Sequence, residues 1–445
     1  MLKTFPKGGV HPPENKLSAD KAIKTIGLPA EVVIPLQQHL GAPAKAIVDK
    51  KDKVKIGQKI IEAGGFVSAN VHSSVSGTVL KVDNMLDSSG YPKPAIVIKV
   101  EGEEWDETID LSPEIKKEIT LSAEEIIKKA SEMGIVGLGG ATFPTHVKLS
   151  IPKGHTCEYL IINGVECEPY LTSDHRLMLE HGDELIIGTQ IFMKALGVKK
   201  AFIGIENNKP DAIEHLSKLV KNYDSDIEII SLKVQYPQGG EKQLIKAVTG
   251  REVPSGGLPI HAGVVVQNVG TAFAIYEAVQ KNKPLIERIV TITGKSVKEP
   301  GNYKVRIGTP VSMLVEAAGG LPEDTGKVIN GGPMMGKALN SLDVPVTKGT
   351  SGILILSEDE AKRGKLMPCI RCAKCVSVCP QGIEPYLLMS IAEKNLWEEA
   401  EKEHNMDCIE CGSCSYICPS DRPLLDYIRF GKQNVGAMIR ARNTK

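Results

Sequence analysis

Eight of the ten cysteines of this 445-residue chain lie in two short runs near the C-terminus. Both runs follow the pattern C-x2-C-x2-C-x3-C-P, and their members are Cys369, Cys372, Cys375 and Cys379, then Cys408, Cys411, Cys414 and Cys418. In such paired runs the first three thiolates bind one [4Fe–4S] cluster, and the fourth, before proline, reaches the other cluster. The spacing therefore predicts one cluster on Cys369, Cys372, Cys375 and Cys418, and a second on Cys408, Cys411, Cys414 and Cys379.

Zinc and disulfide bonds are the alternatives for these cysteines. A zinc site needs only four ligands and rarely has a third C-x2-C step followed by Cys-Pro, and disulfides do not require such regular spacing. Clusters fit the pattern better, and a chain that carries them moves single electrons. The two remaining cysteines, Cys157 and Cys167, are expected to be small, partly buried residues.

A glycine-rich stretch in the middle of the chain, residues 134–148, could hold a flat or anionic ligand. Gly137, Gly139 and Gly140 would let the backbone approach a phosphate or a ring closely, and Lys148 adds a positive charge. Backbone N–H groups in such a turn form an anion site, which is stronger where a helix begins. The alternative is a turn that serves only the fold.

Three further polar segments follow in the same region. They contain Asn163, Glu166 and Glu168; Gly239, Gly240 and Glu241; and Gln267, Asn268 and Thr271. Ligands gather at the carboxyl ends of strands in open α/β sheets, and an amide, which is both donor and acceptor, suits the edge of a flavin ring. A solvated acidic loop is the alternative interpretation of the segment with two glutamates.

The surrounding sequence predicts four regions. Short apolar runs broken by turns predict an all-β barrel-sandwich over 1–110, similar to biotinyl and lipoyl carriers but without the lysine that carriers place on the hairpin. Strands alternating with helices predict an α/β domain with a parallel sheet over 120–285. A β-grasp module of the SLBB type is predicted over 286–340, and a helical two-cluster ferredoxin domain over 355–445 with one helix at Glu384–His404.

Composition narrows the class of protein. Lys plus Arg and Asp plus Glu both number 54, and aromatic residues make up only 4%, so neither charge nor stacking suggests nucleic-acid binding. No apolar run is long enough for a membrane-spanning helix, and the first residues lack the apolar core of a signal peptide. Free cysteines and iron–sulfur ligands fit a reducing cytoplasm.

The four polar segments, in this order, resemble those that surround FMN and NADH in the flavoprotein subunit of respiratory complex I. The whole chain more closely resembles the C-subunit family of Rnf complexes, membrane-bound ferredoxin:NAD+ oxidoreductases, because the order of regions and the opening segment Phe5–Lys16 also match. The resemblance implies flavin contacts for Gly137, Gly139, Gly140, Lys148, Asn163, Gln267, Asn268 and Thr271. It also implies that Gly239 and Gly240 line the nucleotide cleft, that Phe143 stacks on the NADH adenine, and that the flavin–nicotinamide contact has Glu166, Glu168 and Glu241.

Three positions depart from the complex I pattern. Leu138 replaces a basic residue, Val165 replaces a carboxylate that contacts the flavin, and Ile151 replaces a second aromatic residue at the adenine. The resemblance therefore supports the flavin geometry better than the adenine site.

The implied function is that of a peripheral subunit that passes electrons between ferredoxin and NAD+, through partner subunits, its own two clusters and FMN. A nicotinamide exchanges hydride and a cluster exchanges one electron, and a flavin can do both. The implied partners are NAD(H), integral membrane subunits and a ferredoxin-like subunit, at the cytoplasmic face of the plasma membrane, with membrane contact through these partners only. A cobalamin reductase-like protein and an electron-relay scaffold without nicotinamide activity are the alternatives.

Overall fold

A computed structural model describes residues 2–443 of the chain. Its N-terminal part forms strands only: β1 Ile23–Thr25, β2 Glu31–Pro35, β3 Lys45–Ala46, β4 Lys53–Val54, β5 Lys59–Glu62, β6 Val71–His72, β7 Gly77–Leu86 and β8 Pro92–Val100. One sheet has the order β2-β8-β7-β4, and a smaller one has the order β3-β5-β6. Their inner faces share an apolar core in which Val32, Ile60 and Ile98 are completely buried. The predicted all-β barrel-sandwich is confirmed.

Helices and strands then alternate, as predicted. The elements are α1 Ala123–Glu132, α2 Thr145–Leu149, β9 Tyr159–Asn163, α3 Ser173–Glu180, α4 Gly182–Leu196, β10 Lys200–Glu206, α5 Pro210–Leu219, β11 Asp226–Leu232, α6 Glu241–Thr249, β12 Val264–Asn268 and α7 Val269–Gln280, with short 3-10 turns at Val220–Asn222 and Pro259–Ala262. The four strands form a parallel sheet of order β11-β10-β9-β12. Strands buried on both faces explain why β9 and β12 are continuously apolar until their last residues.

The carboxyl ends of β9 and β12 lie side by side, and this position organises the site. Asn163 and Asn268, the final residues of the two strands, are register partners. Helices α1, α4 and α7 pack on one face of the sheet and α6 packs on the other. The polar segments that follow these strands therefore converge at one edge.

A mixed six-stranded sheet follows the α/β region. Its elements are β13 Glu287–Thr293, β14 Gly301–Arg306, α8 Val311–Ala317, β15 Thr325–Asn330, β16 Lys337–Ala338 and β17 Gly352–Ser357. The sheet order is β1-β14-β13-β17-β15-β16. Two of its strands, β1 and β17, thus lie outside the interval 286–340 that the sequence suggests for the β-grasp module. The domain limits themselves stay predictions.

The C-terminal part is helical, as predicted. It contains α9 Glu358–Ala361, α10 Lys374–Ser377, α11 Pro385–Glu393, α12 Trp397–Lys402, a 3-10 turn at Asn405–Asp407, α13 Ser413–Ile417 and α14 Leu424–Asn443. The single helix predicted over Glu384–His404 is two helices, because Asn395 adopts a left-handed φ of 56° after α11 and ends it. Between residues 2 and 443, no helix is both long and apolar enough to cross a lipid bilayer.

Candidate functional site

Two asparagines tie the sheet edge together. The Asn163 Nδ2 donates to the Gly239 carbonyl at 2.9 Å, so the glycine turn of residues 239–240 is held against the end of β9. The Asn268 Nδ2 donates to the Asn163 carbonyl at 3.3 Å, and its Oδ1 accepts from the Gly270 N–H at 2.8 Å. Asn268 is therefore the N-cap of α7 as well as a link between strands. These contacts bring together three of the predicted segments.

The glycine-rich turn lies against the same edge. The Thr271 Oγ1 accepts a hydrogen bond from the Leu138 N–H at 3.0 Å, and the Gly137 N–H donates to the Phe143 carbonyl at 2.9 Å. A Cβ atom on Gly139 would lie 2.6 Å from the Asn268 Nδ2, so a side chain cannot replace this glycine without displacing Asn268. Gly140 is exposed and faces open space. The turn thus offers its backbone at the sheet edge, as predicted.

Gln267 is the side chain whose polar atoms fit a ligand best. It is 2% exposed, and neither its Oε1 nor its Nε2 has a hydrogen-bond partner among the described residues. Leaving a buried donor or acceptor unpaired costs about 1–3 kcal/mol for each group. A flavin ring edge presents both donors and acceptors, so the residues present fit FMN at this position. Thr145, at the start of α2, also has a buried hydroxyl without a partner among the described residues. Sequence reasoning did not single it out, although it lies within the glycine-rich stretch of residues 134–148.

Lys148 and Glu241 form an ion pair beside the sheet edge, and the region bounded by this pair and the glycine-rich turn is here called the cleft. The Lys148 Nζ lies 2.7 Å from the Glu241 Oε1 and donates to the Val266 carbonyl at 3.1 Å. Their side chains are 27% and 39% exposed, so solvent and ligands can reach both. Glu241 begins α6, directly after Gly240. The predicted cation is therefore at the cleft, next to one predicted catalytic carboxylate.

Glu166 and Glu168 are engaged elsewhere. The Glu166 carboxylate accepts from the N–H groups of Asp174 and His175 at 2.8 and 3.1 Å, so it caps the start of α3. The Glu168 carboxylate accepts from the N–H groups of Met335 and Met334, at 2.8 and 3.2 Å, in the loop before β16. Burial raises the pKa of Glu168 to about 7. The structure does not bring these two carboxylates to Glu241, and their catalytic assignment stays a prediction.

Two charged residues at the site, the half-buried Asp174 and the buried Arg288, carried no sequence signal. Asp174 accepts from the Asn268 Nδ2 at 2.7 Å, and burial, then the neighbouring Glu166, raises its pKa. Arg288 reaches the Leu138 carbonyl at 3.5 Å from the mixed sheet, and burial lowers its pKa to about 10. Both lie outside the recognisable motifs. They reach the glycine-rich turn only in the folded chain, so the local sequence gives no sign of their position.

In both predicted ligand groups, cysteines from the two runs lie near one another. Burial raises the pKa of Cys375, and the nearby thiol of Cys418, from the other run, raises it further. Tyr386 is within electrostatic reach of Cys375 and Cys369. Burial likewise raises the pKa of Cys414, and the added effects come from Cys408, Cys411 and Cys379. Each predicted group therefore contains neighbouring cysteines from different runs, namely Cys375 with Cys418 and Cys414 with Cys379, and the full ligand sets stay predictions.

The two groups differ in exposure. Cys369 and Cys372 are exposed, whereas Cys379, Cys411 and Cys414 are buried. Among residues 2–443, no three metal-binding side chains converge closely enough for one ion. The assignment of the eight thiols to two iron–sulfur cubanes, four to each, therefore stays a prediction from their spacing.

Family models match four regions of the chain. They are the RnfC barrel sandwich hybrid domain at residues 3–103, the Nuo51 FMN-binding domain at 130–277, the SLBB domain at 289–338 and the 4Fe-4S dicluster domain at 361–419. These matches confirm the predicted fold class and the predicted cofactors, FMN and two [4Fe–4S] clusters. The roles of single residues stay predictions.

Similar proteins cover nearly the whole chain. The C subunit of the proton-translocating ferredoxin:NAD(+) oxidoreductase complex of Clostridium ljungdahlii is 48% identical over 441 residues, which are 97% of this chain and 94% of that protein. The Na(+)-translocating counterpart of Acetobacterium woodii is also 48% identical, over 98% of both chains. The similarity to a crystal structure of an NAD+-reducing [NiFe]-hydrogenase covers 72% of this chain and 62% of that chain, with 18% identity and a TM-score of 0.49. On the strength of the two close relatives, the chain belongs to the C-subunit family of Rnf-type, ion-translocating ferredoxin:NAD(+) oxidoreductase complexes.

Proposed function

We propose that this chain is the peripheral flavin and iron–sulfur subunit of an ion-translocating ferredoxin:NAD+ oxidoreductase complex. It exchanges hydride with NAD(H) at FMN, and it exchanges single electrons with partner subunits through its two clusters. The relatives in Clostridium ljungdahlii and Acetobacterium woodii carry names that describe subunits of such complexes.

One contact carries this proposal. The Tyr236 hydroxyl donates to the Cys411 carbonyl at 2.7 Å. Tyr236 lies in the loop that leads to Gly239, whose carbonyl accepts from Asn163 at the sheet edge. The site suited to a flavin and the group of Cys379, Cys408, Cys411 and Cys414 are therefore neighbours, as a transfer of single electrons between them requires.

FMN, when bound, supplies the conversion between hydride transfer and single-electron transfer. Gln267 is the residue whose unpaired donor and acceptor the ring edge would satisfy, and the backbone at Gly140 faces open space that allows close approach. Lys148 is the cation available to the phosphate, with Glu241 as its partner in the cleft. The chain's contribution is to orient the two ring systems and exclude water, because hydride transfer between rings needs no strong acid or base from the protein.

The exposure of the two cysteine groups supports a proposal for where a partner subunit exchanges electrons with this chain. The cluster on Cys369, Cys372, Cys375 and Cys418 would exchange electrons with another subunit, because two of its ligands are exposed. A ferredoxin-like subunit suits that place, and integral membrane subunits would carry the ion transport. We place the chain at the cytoplasmic face of the plasma membrane, where these subunits would hold it.

An anaerobic titration with NADH tests the function. Purified protein with reconstituted clusters is supplied with FMN, and the flavin and cluster absorbances are followed. Bleaching of bound flavin by NADH is the expected result. Flavin that NADH leaves oxidised, although dithionite reduces it, would exclude the nicotinamide site from this chain.

A further inference from the structure

The segment Lys3–Lys16, here called the N-terminal arm, runs through the junction of the flavin-type and cluster regions. It precedes the barrel strands but does not lie on the barrel. The Lys233 N–H donates to the Lys3 carbonyl at 2.9 Å, and Phe5 and Val10 are 3% and 5% exposed. The arm therefore lies against the α/β region with the side chains of Phe5 and Val10 buried, and the function proposed above leaves it without a role.

On one side the arm packs directly on the backbone of a cluster ligand. The Gly9 N–H donates to the Val378 carbonyl at 2.8 Å. A Cβ atom on Gly8 would lie 2.6 Å from the Val378 oxygen and 2.7 Å from the Cys379 carbonyl, and Gly8 has a φ of 73°. Only glycine allows both this conformation and this close approach. The arm thus fixes the position of Cys379.

On the other side the arm pairs with the loop that holds the sheet edge. Val10 and Tyr236 exchange two backbone hydrogen bonds, of 2.8 and 2.9 Å. The Gln235 Nε2 donates to the Gly8 carbonyl at 2.8 Å. Tyr236 in turn contacts the Cys411 carbonyl through its hydroxyl. Two ligands of the same predicted cluster are therefore held through residues 8–10.

The end of the arm clamps the segment that follows β9. The Lys16 Nζ donates to the carbonyls of Glu166, Glu168 and Leu171, at 2.8, 2.9 and 2.6 Å. All three hydrogens of the ammonium are thereby used on one loop. Burial lowers the pKa of Lys16 to about 8. This loop begins at Asn163, so the clamp sits directly behind the flavin-type cleft.

We propose that the N-terminal arm sets the separation between the flavin cleft and the cluster on Cys379, Cys408, Cys411 and Cys414, with Gly8 and Lys16 as its positioning residues. This inference rests on the proposed function. Transfer of an electron between two centres falls steeply as they separate, so a loosened arm should slow that step and leave hydride exchange at the flavin intact.

Rapid-mixing absorbance measurements on the holoprotein test the proposal. Protein with FMN and both clusters is reduced with stoichiometric dithionite and mixed with NAD+. In the wild type we expect a fast flavin phase, as hydride passes to NAD+, and a slower phase in which each cluster gives one electron to the flavin. Gly8→Ala should slow the second phase about 10-fold or more, since small displacements of reacting groups are costly, and should leave the first phase unchanged.

Matched variants separate positioning from general damage. Gly27→Ala is the control for Gly8→Ala, because a Cβ atom at Gly27 would meet nothing within 4 Å. Lys16→Met is the second test variant, and its control is Lys21→Met, whose side chain is 49% exposed. Hydrogen–deuterium exchange of segments 236–240 and 376–380 measures how firmly the arm holds them. Both test variants should raise the amide exchange rate of these segments, and the controls should leave it unchanged.

Two results would overturn the inference alone. In the first, a test variant shows faster amide exchange in these segments but its cluster phase has the wild-type rate. In the second, a test variant slows the flavin phase and the cluster phase equally. A wild-type protein without any flavin phase would instead overturn the proposed function, and the inference with it.

Discussion

At the scale of single residues, the site is defined by polar atoms that the protein itself leaves unpaired. The side chains of Asn163 and Asn268 form hydrogen bonds within the protein, with Gly239, Gly270 and Asp174. Gln267 does the opposite, because its whole amide is buried without a partner among the described residues. Native proteins keep few such groups, so each one calls for an explanation such as a bound ligand or water.

Replacing Gln267 should therefore have opposite effects with and without FMN. In Gln267→Leu the unpaired groups disappear at similar volume, so we expect the cofactor-free protein to be as stable as the wild type or more stable, by about 1–3 kcal/mol. The affinity for FMN should fall about 10- to 100-fold, the equivalent of about 1.4–2.8 kcal/mol. Urea denaturation of the FMN-free protein and quenching of FMN fluorescence measure the two effects.

Gln433→Leu, on the exposed face of α14, is the control for that pair of measurements and should change neither quantity. If Gln267→Leu destabilised the FMN-free protein and bound FMN normally, Gln267 would be a packing residue rather than a ligand contact.

The sequence predicted which segments line the cleft, but it did not predict which groups the carboxylates of these segments contact. Gln267 and the glycines are visible in the sequence because strand ends and tight turns are local features. The contacts of Glu168 with Met334 and Met335 join residues more than 160 positions apart, and no local pattern encodes them. The resemblance implies that Glu168 lies near the nicotinamide contact, and this role stays a prediction; in the structure its carboxylate accepts from the N–H groups of Met334 and Met335.

At the scale of elements, strand β6 contains a histidine that the fold keeps neutral. His72 is 5% exposed, and its Nδ1 has no partner among the described residues. Burial, with a smaller effect of Lys348, lowers the pKa of His72 from 6.5 to about 3. Between those pH values the unfolded chain binds a proton at this position and the folded barrel does not, so stability is lost as the pH falls below about 6.5.

The acid sensitivity of the protein should therefore decrease in His72→Leu. At pH 5 the wild type should have lost about 2 kcal/mol of unfolding free energy at this residue relative to pH 7.5, from about 1.5 pH units at 1.36 kcal/mol each. Urea denaturation of the cluster-free full chain at both pH values gives the difference. The exposed His155→Leu serves as the control, and equal acid sensitivity of all three proteins would contradict the expected role of His72.

The elements themselves show which signals are local. Regular apolar runs predicted the alternation of strands and helices and the parallel sheet of the α/β region, and the structure shows both. The break at Asn395 was missed because a single left-handed residue leaves the apolar pattern on both sides intact. Strand β1 was missed because its three residues are ordered by pairing with β14, which lies far along the chain.

At the scale of the whole molecule, the regions are joined by a few buried contacts that the sequence could not predict. The Lys348 Nζ donates to the carbonyls of Asn70, in the barrel, and of Gly134, before the glycine-rich turn, both at 2.7 Å. Tyr236 and the N-terminal arm join the α/β region to the cysteine runs. Composition and motifs predict each region separately. The contacts that join the regions, and that the proposed electron path requires, are visible only in the folded chain.

The proposed electron path requires FMN as the obligatory link between NAD+ and the clusters, and this requirement can be measured. The clusters of FMN-depleted and FMN-loaded protein are reduced with stoichiometric dithionite, NAD+ is added, and the electron paramagnetic resonance signal of the reduced clusters is followed together with NADH formation. We expect the signal to decay and NADH to appear only with FMN, and FMN added to the depleted protein to restore both. Oxidation of the clusters by NAD+ without FMN, or clusters that stay reduced with FMN bound, would contradict the proposed path.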